Sequence, residues 1–128
     1  MNLLLDTHIA LWALVDSPRL SSRARELILD PHNTVSVSAA SVWEIVIKHD
    51  LGRGEMPISG EAALRYFRAS GYRFLPVEPE HAAAVETLPA HHNDPFDRLL
   101  IAQAQVEPMR LLSHDHQIAR YGELVISV

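Results

Sequence analysis

Short apolar runs alternate with longer amphipathic segments along the chain, and this alternation predicts the order of its elements. Residues 2–5 form an unbroken apolar run, which is typical of a strand buried on both faces of a parallel sheet. Residues rich in β-branched or large apolar types predict four more strands at 34–37, 72–77, 109–113 and 124–128. Apolar positions at helical spacing predict the intervening helices over residues 7–15, 22–29, 39–52, 60–70, 79–88, 95–104 and 115–122.

Capping residues mark where several predicted helices begin and end. Ser38 precedes the helix over residues 39–52, and Gly52 ends it as a glycine C-cap does. Asp94 and Pro95 open the helix at 95, since proline is favoured at the first helical position. Residues 52–58 contain two glycines and a proline, which predicts a loop. The order of elements predicts an α/β/α sandwich with a mostly parallel sheet of four to five strands, in a single domain over residues 1–128.

Composition narrows the class of protein. The chain has 128 residues, and no apolar run approaches the roughly 20 residues that cross a bilayer. It has no cysteine, which excludes disulfides and cysteine-bound zinc. The N-terminal sequence lacks the basic segment of a signal peptide, so we expect a cytoplasmic protein. The net charge of −5 argues against a protein that coats nucleic acid, but it is compatible with a nuclease whose acidic residues hold cations.

Four acidic residues are predicted to lie at one edge of the sheet. Asp6 directly follows the first strand, and Asp115 follows the fourth strand closely. Glu44 lies in the second turn of the helix after the second strand, and Asp97 is the third residue of the helix that begins at Pro95. Helix starts that follow parallel strands share the C-terminal edge of those strands, where open parallel sheets place their sites. All four carboxylates are therefore expected to reach one cleft.

Each of these acids also has a purely structural explanation. Asp6, Asp97 and Asp115 lie where carboxylates cap helices or favour the helix dipole. Glu44 is four residues before Lys48 and can form a surface ion pair with it, worth only a few tenths of a kcal/mol. The four together are harder to explain in this way, because clustered carboxylates repel one another unless a cation joins them. Hard ions such as Mg²⁺ and Mn²⁺ prefer oxygen ligands of this kind and serve in phosphodiester hydrolysis.

Four segments in this order, LLLDTH, SVWEI, HNDPFDRLLIAQA and LLSHD, resemble the PIN domain. Within that family the chain is similar to the VapC toxins of bacterial toxin–antitoxin pairs, over nearly its full length. The resemblance implies that the metal ligands and catalytic acids are Asp6, Glu44, Asp97 and Asp115. It implies that Thr7 and Ser113 are supporting hydroxyl residues, although the family more often has threonine at the position of Ser113. It also implies that Asp94 is a structural residue at a helix start.

The resemblance further implies a Mg²⁺- or Mn²⁺-dependent endoribonuclease in which a metal-activated water attacks phosphorus, leaving 5′-phosphate and 3′-hydroxyl ends. The implied substrates are structured cellular RNAs, such as transfer or ribosomal RNA, and their cleavage halts translation. The implied partners are a cognate VapB-type antitoxin and a second copy of the chain in a homodimer, with no membrane involved.

Two other interpretations compete with the nuclease. A catalytically inactive PIN-like scaffold that binds RNA or protein would be favoured by loss of an acidic position, but all four acids are present. A haloacid-dehalogenase-type phosphatase would need a second aspartate two residues after Asp6, where this chain has His8, and its catalytic lysine would have to be Lys48. A P-loop nucleotidase is excluded because the chain has no GxxxxGK[ST] sequence.

The remaining chemistry-bearing residues are predicted to be mainly structural. Most of the eight histidines are expected in loops or at the surface, although His8 and His116 are candidates for RNA contact. Arg98 is expected either to contact phosphate or to form a salt bridge with a nearby acid. Trp12 and Trp43 lie in apolar helix segments, which favours core or interface packing over base stacking.

Overall fold

Five strands form one parallel sheet over residues 1–52 and 56–128, which are the residues that the computed structural model describes. The strands are β1 (Asn2–Leu5), β2 (Thr34–Ser38), β3 (Arg73–Leu75), β4 (Arg110–Ser113) and β5 (Val125–Ser127). Their order is β3-β2-β1-β4-β5, and every neighbouring pair is parallel. The prediction of a parallel α/β sheet is confirmed.

The helices also follow the predicted order. They are α1 (Thr7–Leu14), α2 (Ser22–Leu29), α3 (Ala39–Asp50), α4 (Gly60–Ala69), α5 (Pro79–Ala84), α6 (Pro95–Val106) and α7 (His116–Ala119), with a 3-10 turn over Val85–Thr87. The helix predicted over residues 79–88 thus changes to a 3-10 turn after its sixth residue, and α7 is half as long as predicted. Part of the predicted loop at 52–58 lies outside the described residues.

Side chains of alternate strand residues enter two separate cores, one on each face of the sheet. Leu3 and Leu5 of β1 pack with residues of α1, α3 and α4, including Phe67. Leu4 packs on the other face with residues of α6 and α7, including Leu100. Strand β1 is buried on both faces because it is central, which explains its unbroken apolar run. None of the described helices is long and apolar enough to cross a bilayer.

Local capping chemistry fixes the helix ends as predicted. Ser38 Oγ accepts a hydrogen bond from the Ala40 N–H at 3.0 Å, and Asp94 Oδ1 accepts from the Asp97 N–H at 3.0 Å. Gly52 has a φ of +66° and follows α3, in the left-handed conformation that glycine adopts without a Cβ clash. These caps fix the residues at which α3 and α6 begin and at which α3 ends.

The strand order reverses beside β1. The chain proceeds from β1 outward through β2 to β3, and then returns to place β4 on the other side of β1. A crevice opens at such a reversal, beyond the C-terminal ends of the two strands, since their connections lead away in opposite directions. Asp6 follows β1 and Asp115 lies just beyond β4, so both are at this crevice.

Candidate active site

A cleft of about 490 Å³ opens at the C-terminal edge of the sheet, and all four predicted carboxylates line it. Asp6 and Glu44 are buried, whereas the Asp97 side chain is 20% exposed and the Asp115 side chain is 41% exposed. Glu44 comes from α3 and Asp97 from the first turn of α6. The expected convergence on one cleft is confirmed, while the role of these residues in holding a metal stays a prediction.

Asp6 and Asp115 cap helices as well as lining the cleft. Asp6 Oδ1 accepts from the Ile9 N–H at 2.9 Å. Asp115 Oδ1 accepts from the N–H groups of Gln117 at 2.7 Å and Ile118 at 3.3 Å. The capping explanation is therefore correct for both residues, and it does not exclude a second role for either carboxylate.

Burial leaves the charge of Asp6 poorly compensated. It raises the pKa of Asp6 above the usual 3.8, against the opposing effects of a hydrogen bond from Ser113, the Ile9 N–H and the charge of His8. The Ser113 Oγ also accepts from the Asp115 N–H at 3.0 Å. Ser113 thus contacts the side chain of Asp6 and the backbone of Asp115, while the supporting role that the resemblance implies for it stays a prediction.

Hydrogen bonds on both oxygens hold the carboxylate of Glu44. The Thr7 hydroxyl donates to Oε1 at 2.6 Å, and Lys48 Nζ lies 2.5 Å from Oε2. The Lys48 side chain is 24% exposed and that of Glu44 is 3% exposed, so the predicted ion pair exists but is largely buried. Burial lowers the pKa of Lys48, but the hydrogen bond to Glu44 and the charges of Glu44, Asp94 and Asp97 raise it. These opposing effects are larger together, so the pKa of Lys48 is raised overall.

Burial and acidic neighbours leave the charge of Asp97 poorly compensated. Burial raises its pKa from 3.8 to about 8, and the negative charges of Asp94, Glu44, Asp6 and Asp115 add to that effect. Its carboxylate does not cap α6, because Asp94 provides the cap and Asp97 contributes only its N–H. The capping explanation is therefore wrong for Asp97, whose carboxylate faces the other acids.

His92 reaches the acidic cluster, which the sequence did not predict. Its Nδ1 accepts from the Asp94 N–H at 3.1 Å, so in the neutral ring Nε2 carries the hydrogen. Nε2 is buried, 2.9 Å from Asp97 Oδ2 and 3.5 Å from Asp115 Oδ2, and makes no well-aligned hydrogen bond with the described residues. One ligand atom each of His92, Asp97 and Asp115 lie within 4.8 Å of one another. In this tautomer the His92 nitrogen nearest the carboxylates carries a hydrogen. It therefore has no lone pair with which to bind a cation.

The structure also bears on the expectations for Arg98 and for the histidines. Among the described residues the Arg98 guanidinium forms no ion pair with a carboxylate, and Arg98 does not line the cleft. It donates to the carbonyl oxygens of Val85 at 3.0 Å, Pro89 at 3.2 Å and His92 at 3.3 Å. It thereby fixes the loop that carries His92 against α6. Most histidines were expected in loops or at the surface. His92 does lie in a loop, although its side chain is only 11% exposed, whereas His81 is fully buried in α5.

Known proteins share both the sequence family and the arrangement of elements. The PIN domain family model matches residues 3–124. The chain is 30% identical over 118 residues to Ribonuclease VapC22 of Mycobacterium tuberculosis, covering 91% of this chain and 89% of that protein.

Solved structures share the fold at low sequence identity. VapBC2 from Rickettsia felis, bound to a DNA fragment from its promoter, is 16% identical with a TM-score of 0.72, covering 100% of this chain and 98% of that one. VapC20 of Mycobacterium tuberculosis, a toxin that cleaves the sarcin–ricin loop, is 15% identical with a TM-score of 0.60, covering 94% and 95%. The family match over residues 3–124 and the identity along nine-tenths of the chain show that this protein belongs to the PIN domain family, with a VapC ribonuclease among its relatives.

Proposed function

We propose that this protein is a divalent-metal-dependent endoribonuclease and the toxin of a toxin–antitoxin pair. The observation that carries the proposal is the cleft at the strand-order reversal, where Asp6, Glu44, Asp97 and Asp115 converge. The 30% identity to a VapC ribonuclease supports RNA as the substrate. Cleavage of a structured RNA would inhibit translation.

The donor set fits a hard divalent cation. Four carboxylates share one cleft, and Lys48 forms an ion pair with only one of them among the described residues. Burial, with the neighbouring negative charges added to it, raises the pKa of Asp97, and a bound cation would offset both effects. We infer that the same four acids hold Mg²⁺ or Mn²⁺, since both ions prefer oxygen ligands. When bound, such an ion supplies Lewis acidity for activating water and for neutralising charge on the phosphate.

Neighbouring residues prepare these acids for that role. Thr7 and Lys48 fix both oxygens of Glu44, so its carboxylate is held in one orientation. Ser113 bridges Asp6 and the backbone of Asp115. His92 Nε2 lies beside Asp97 and Asp115, 2.9 Å and 3.5 Å from their Oδ2 atoms, without a well-aligned hydrogen bond to the described residues. Positions fixed before substrate binds lower the reorganisation needed for reaction.

The proposed partners follow from the same relationship. Complexes named VapBC and FitAB occur among the structures that share this fold, which supports a VapB-type antitoxin as the inhibitor. We also propose a homodimer, a cytoplasmic location where RNA and ribosomes are found, and one PIN-like domain over residues 1–128.

Expression in a bacterial host with sequencing of RNA 5′ ends tests the function. Wild type should arrest growth and create discrete new 5′ ends, while Asp6→Asn should do neither although it keeps its helix cap. Asp50→Asn is the matched control, because Asp50 is exposed at the end of α3 and outside the cleft. Purified wild type should lose cleavage in EDTA and regain it with Mg²⁺ or Mn²⁺.

Two results would contradict the proposal. Cleavage by purified, contaminant-free Asp6→Asn would show that the acidic cluster is not required for catalysis. Soluble, folded wild type that binds RNA without creating new ends would favour the catalytically inactive scaffold instead.

A further inference from the structure

One wall of the cleft is built from rings rather than from acids. His8 and Trp12 of α1, and His114 after β4, line the cleft beside the carboxylates. The ring centroids of His8 and Trp12 are 6.0 Å apart, and those of Trp12 and His114 are 5.8 Å apart in an edge-to-face arrangement. We call His8, Trp12 and His114 the ring wall.

The ring wall begins next to the acidic cluster and extends away from it. Asp6 caps α1, His8 is its second residue, and Trp12 lies four residues further on the same helix face. Four residues correspond to about 6 Å of rise along the helix. Trp12 is six residues after Asp6, so a group stacked on Trp12 would lie about 9 Å from Asp6 along the helix axis.

A cation borders the same wall. Arg19 is exposed, lines the cleft and forms no ion pair with any residue in the ranges 1–52 and 56–128. Lys48, the other long cationic side chain of the cleft, is paired with Glu44 at 2.5 Å. Among the described residues that line the cleft, Arg19 is thus the long cationic side chain available for an anionic ligand.

We propose that the ring wall binds an unpaired RNA base next to the cleaved bond, by stacking on Trp12, while Arg19 contacts a neighbouring phosphate. Stacking needs a base that has left the duplex, so the wall selects single-stranded loops or bulges over paired RNA. The proposal rests on the ribonuclease function above and adds a substrate feature to it. Packing against the apolar core explains why Trp12 is partly buried. It does not explain why three rings and an arginine line the cleft together.

Tryptophan fluorescence can report this site directly. In a protein carrying Asp97→Asn to prevent cleavage and Trp43→Phe to remove the other indole, Trp12 is the remaining emitter. Titration with a short single-stranded RNA of mixed sequence should quench its emission, and the matching duplex should quench it less. Replacing Trp12→Leu, with Trp43 retained, should weaken binding by about 5- to 150-fold, the effect of one stacked base, whereas Trp12→Phe should bind nearly as wild type.

Matched controls separate the site from general effects. Trp43→Leu changes the other tryptophan, which is 61% exposed and outside the cleft, and should leave RNA affinity unchanged. Arg19→Gln should reduce the slope of log affinity against log salt by about 0.7, as expected for one lost contact to single-stranded phosphate. Arg23→Gln, at an exposed position on α2, should leave that slope unchanged.

The outcomes distinguish this inference from the function on which it rests. RNA binding that is insensitive to Trp12→Leu and leaves Trp12 emission unchanged would overturn the ring wall and leave the nuclease intact. If a poly-arginine peptide quenches Trp12 emission and RNA does not, the ring wall binds a basic protein segment rather than RNA. That result would also overturn the proposal. Failure of wild type both to bind and to cleave RNA would remove the ribonuclease function itself, and the ring wall with it.

Discussion

Replacing Asp97→Asn should stabilise the metal-free protein at neutral and mildly alkaline pH. The amide would keep the shape of the side chain and remove the charge that the surrounding acids oppose. The pKa of Asp97 is raised, so between pH 4 and pH 8 the folded protein binds more protons at this site than the unfolded chain. The free energy of unfolding of wild type should therefore fall as pH rises through this range.

The size of the effect follows from the two pKa values. One pKa unit corresponds to about 1.36 kcal/mol, so the change from 3.8 to about 8 sets an upper limit of about 6 kcal/mol for the cost of ionising Asp97. The side chain is 20% exposed, and water therefore offsets part of this cost. We expect Asp97→Asn to be about 2–3 kcal/mol more stable than wild type at pH 8, with the difference vanishing at about pH 4.

Urea unfolding in EDTA at several pH values measures the difference. Both circular dichroism and tryptophan fluorescence should be followed, since coincident transitions justify a two-state treatment. Glu26→Gln is the control, because Glu26 is an exposed acid of α2 outside the cleft, and its replacement should not change the pH dependence. Added Mg²⁺ should stabilise wild type more than Asp97→Asn, because ligand binding to the folded state raises its stability.

A clear loss of stability in Asp97→Asn at pH 8 would refute this reasoning. It would mean that the carboxylate supports the start of α6 through the helix dipole more than it suffers from its acidic neighbours. Equal pH dependence of the two proteins would refute it as well, because Asp97 would then be ionised at the same pH in the folded and unfolded states.

Three further predictions concern the frame around the site. Arg98→Ala removes the donor to three backbone carbonyls and should lower the free energy of unfolding by about 2–3 kcal/mol in urea denaturation, with Arg98→Lys recovering only part of it. The fully buried His81 ring accepts a hydrogen bond from the Glu78 N–H, and its Nε2 lies 2.6 Å from Glu107 Oε2. His81→Ala removes both contacts and leaves a cavity, so it should lower the free energy of unfolding by about 2–4 kcal/mol in the same assay. Gly60→Ala places a Cβ 2.1 Å from Val46 Cγ2 and should cost about 1–3 kcal/mol, less when combined with Val46→Ala; an additive double mutant would disprove the clash.

Most helices and strands could be predicted from the sequence because their signals are local. The unbroken apolar run of β1 and the cap at Ser38 each depend on a few adjacent residues. The strand predicted over 72–77 is shorter than expected, since β3 ends at Leu75 and Pro76 has no N–H to continue the ladder. The short α7 could not be predicted well, because its length depends on the turn that leads into β5 rather than on helix propensity.

The candidate site was predictable from topology, but only in part. Acids just after parallel strands must share an edge, and this rule is sufficient to bring Asp6 and Asp115 together. His92 was missed because its position depends on Arg98, which holds the loop from a helix that follows it in the chain. Asp94 and Pro95, which start α6, could have indicated the position of His92. His92 lies two residues before this cap and therefore close to the first turn of α6.

The three capping hydrogen bonds of Asp6 and Asp115 also bear on how these carboxylates would hold a cation. Asp6 and Asp115 each commit one oxygen to backbone N–H groups, which also fixes the rotation of the carboxylate. In the metal site that we propose, each carboxylate would have one oxygen free of capping bonds, which would favour monodentate coordination. Mg²⁺ accepts single oxygens in octahedral geometry and retains several waters, whereas Ca²⁺ takes more ligands and often bidentate carboxylates. In the metal site that we propose, the capping of Asp6 and Asp115 would thus favour Mg²⁺ over Ca²⁺.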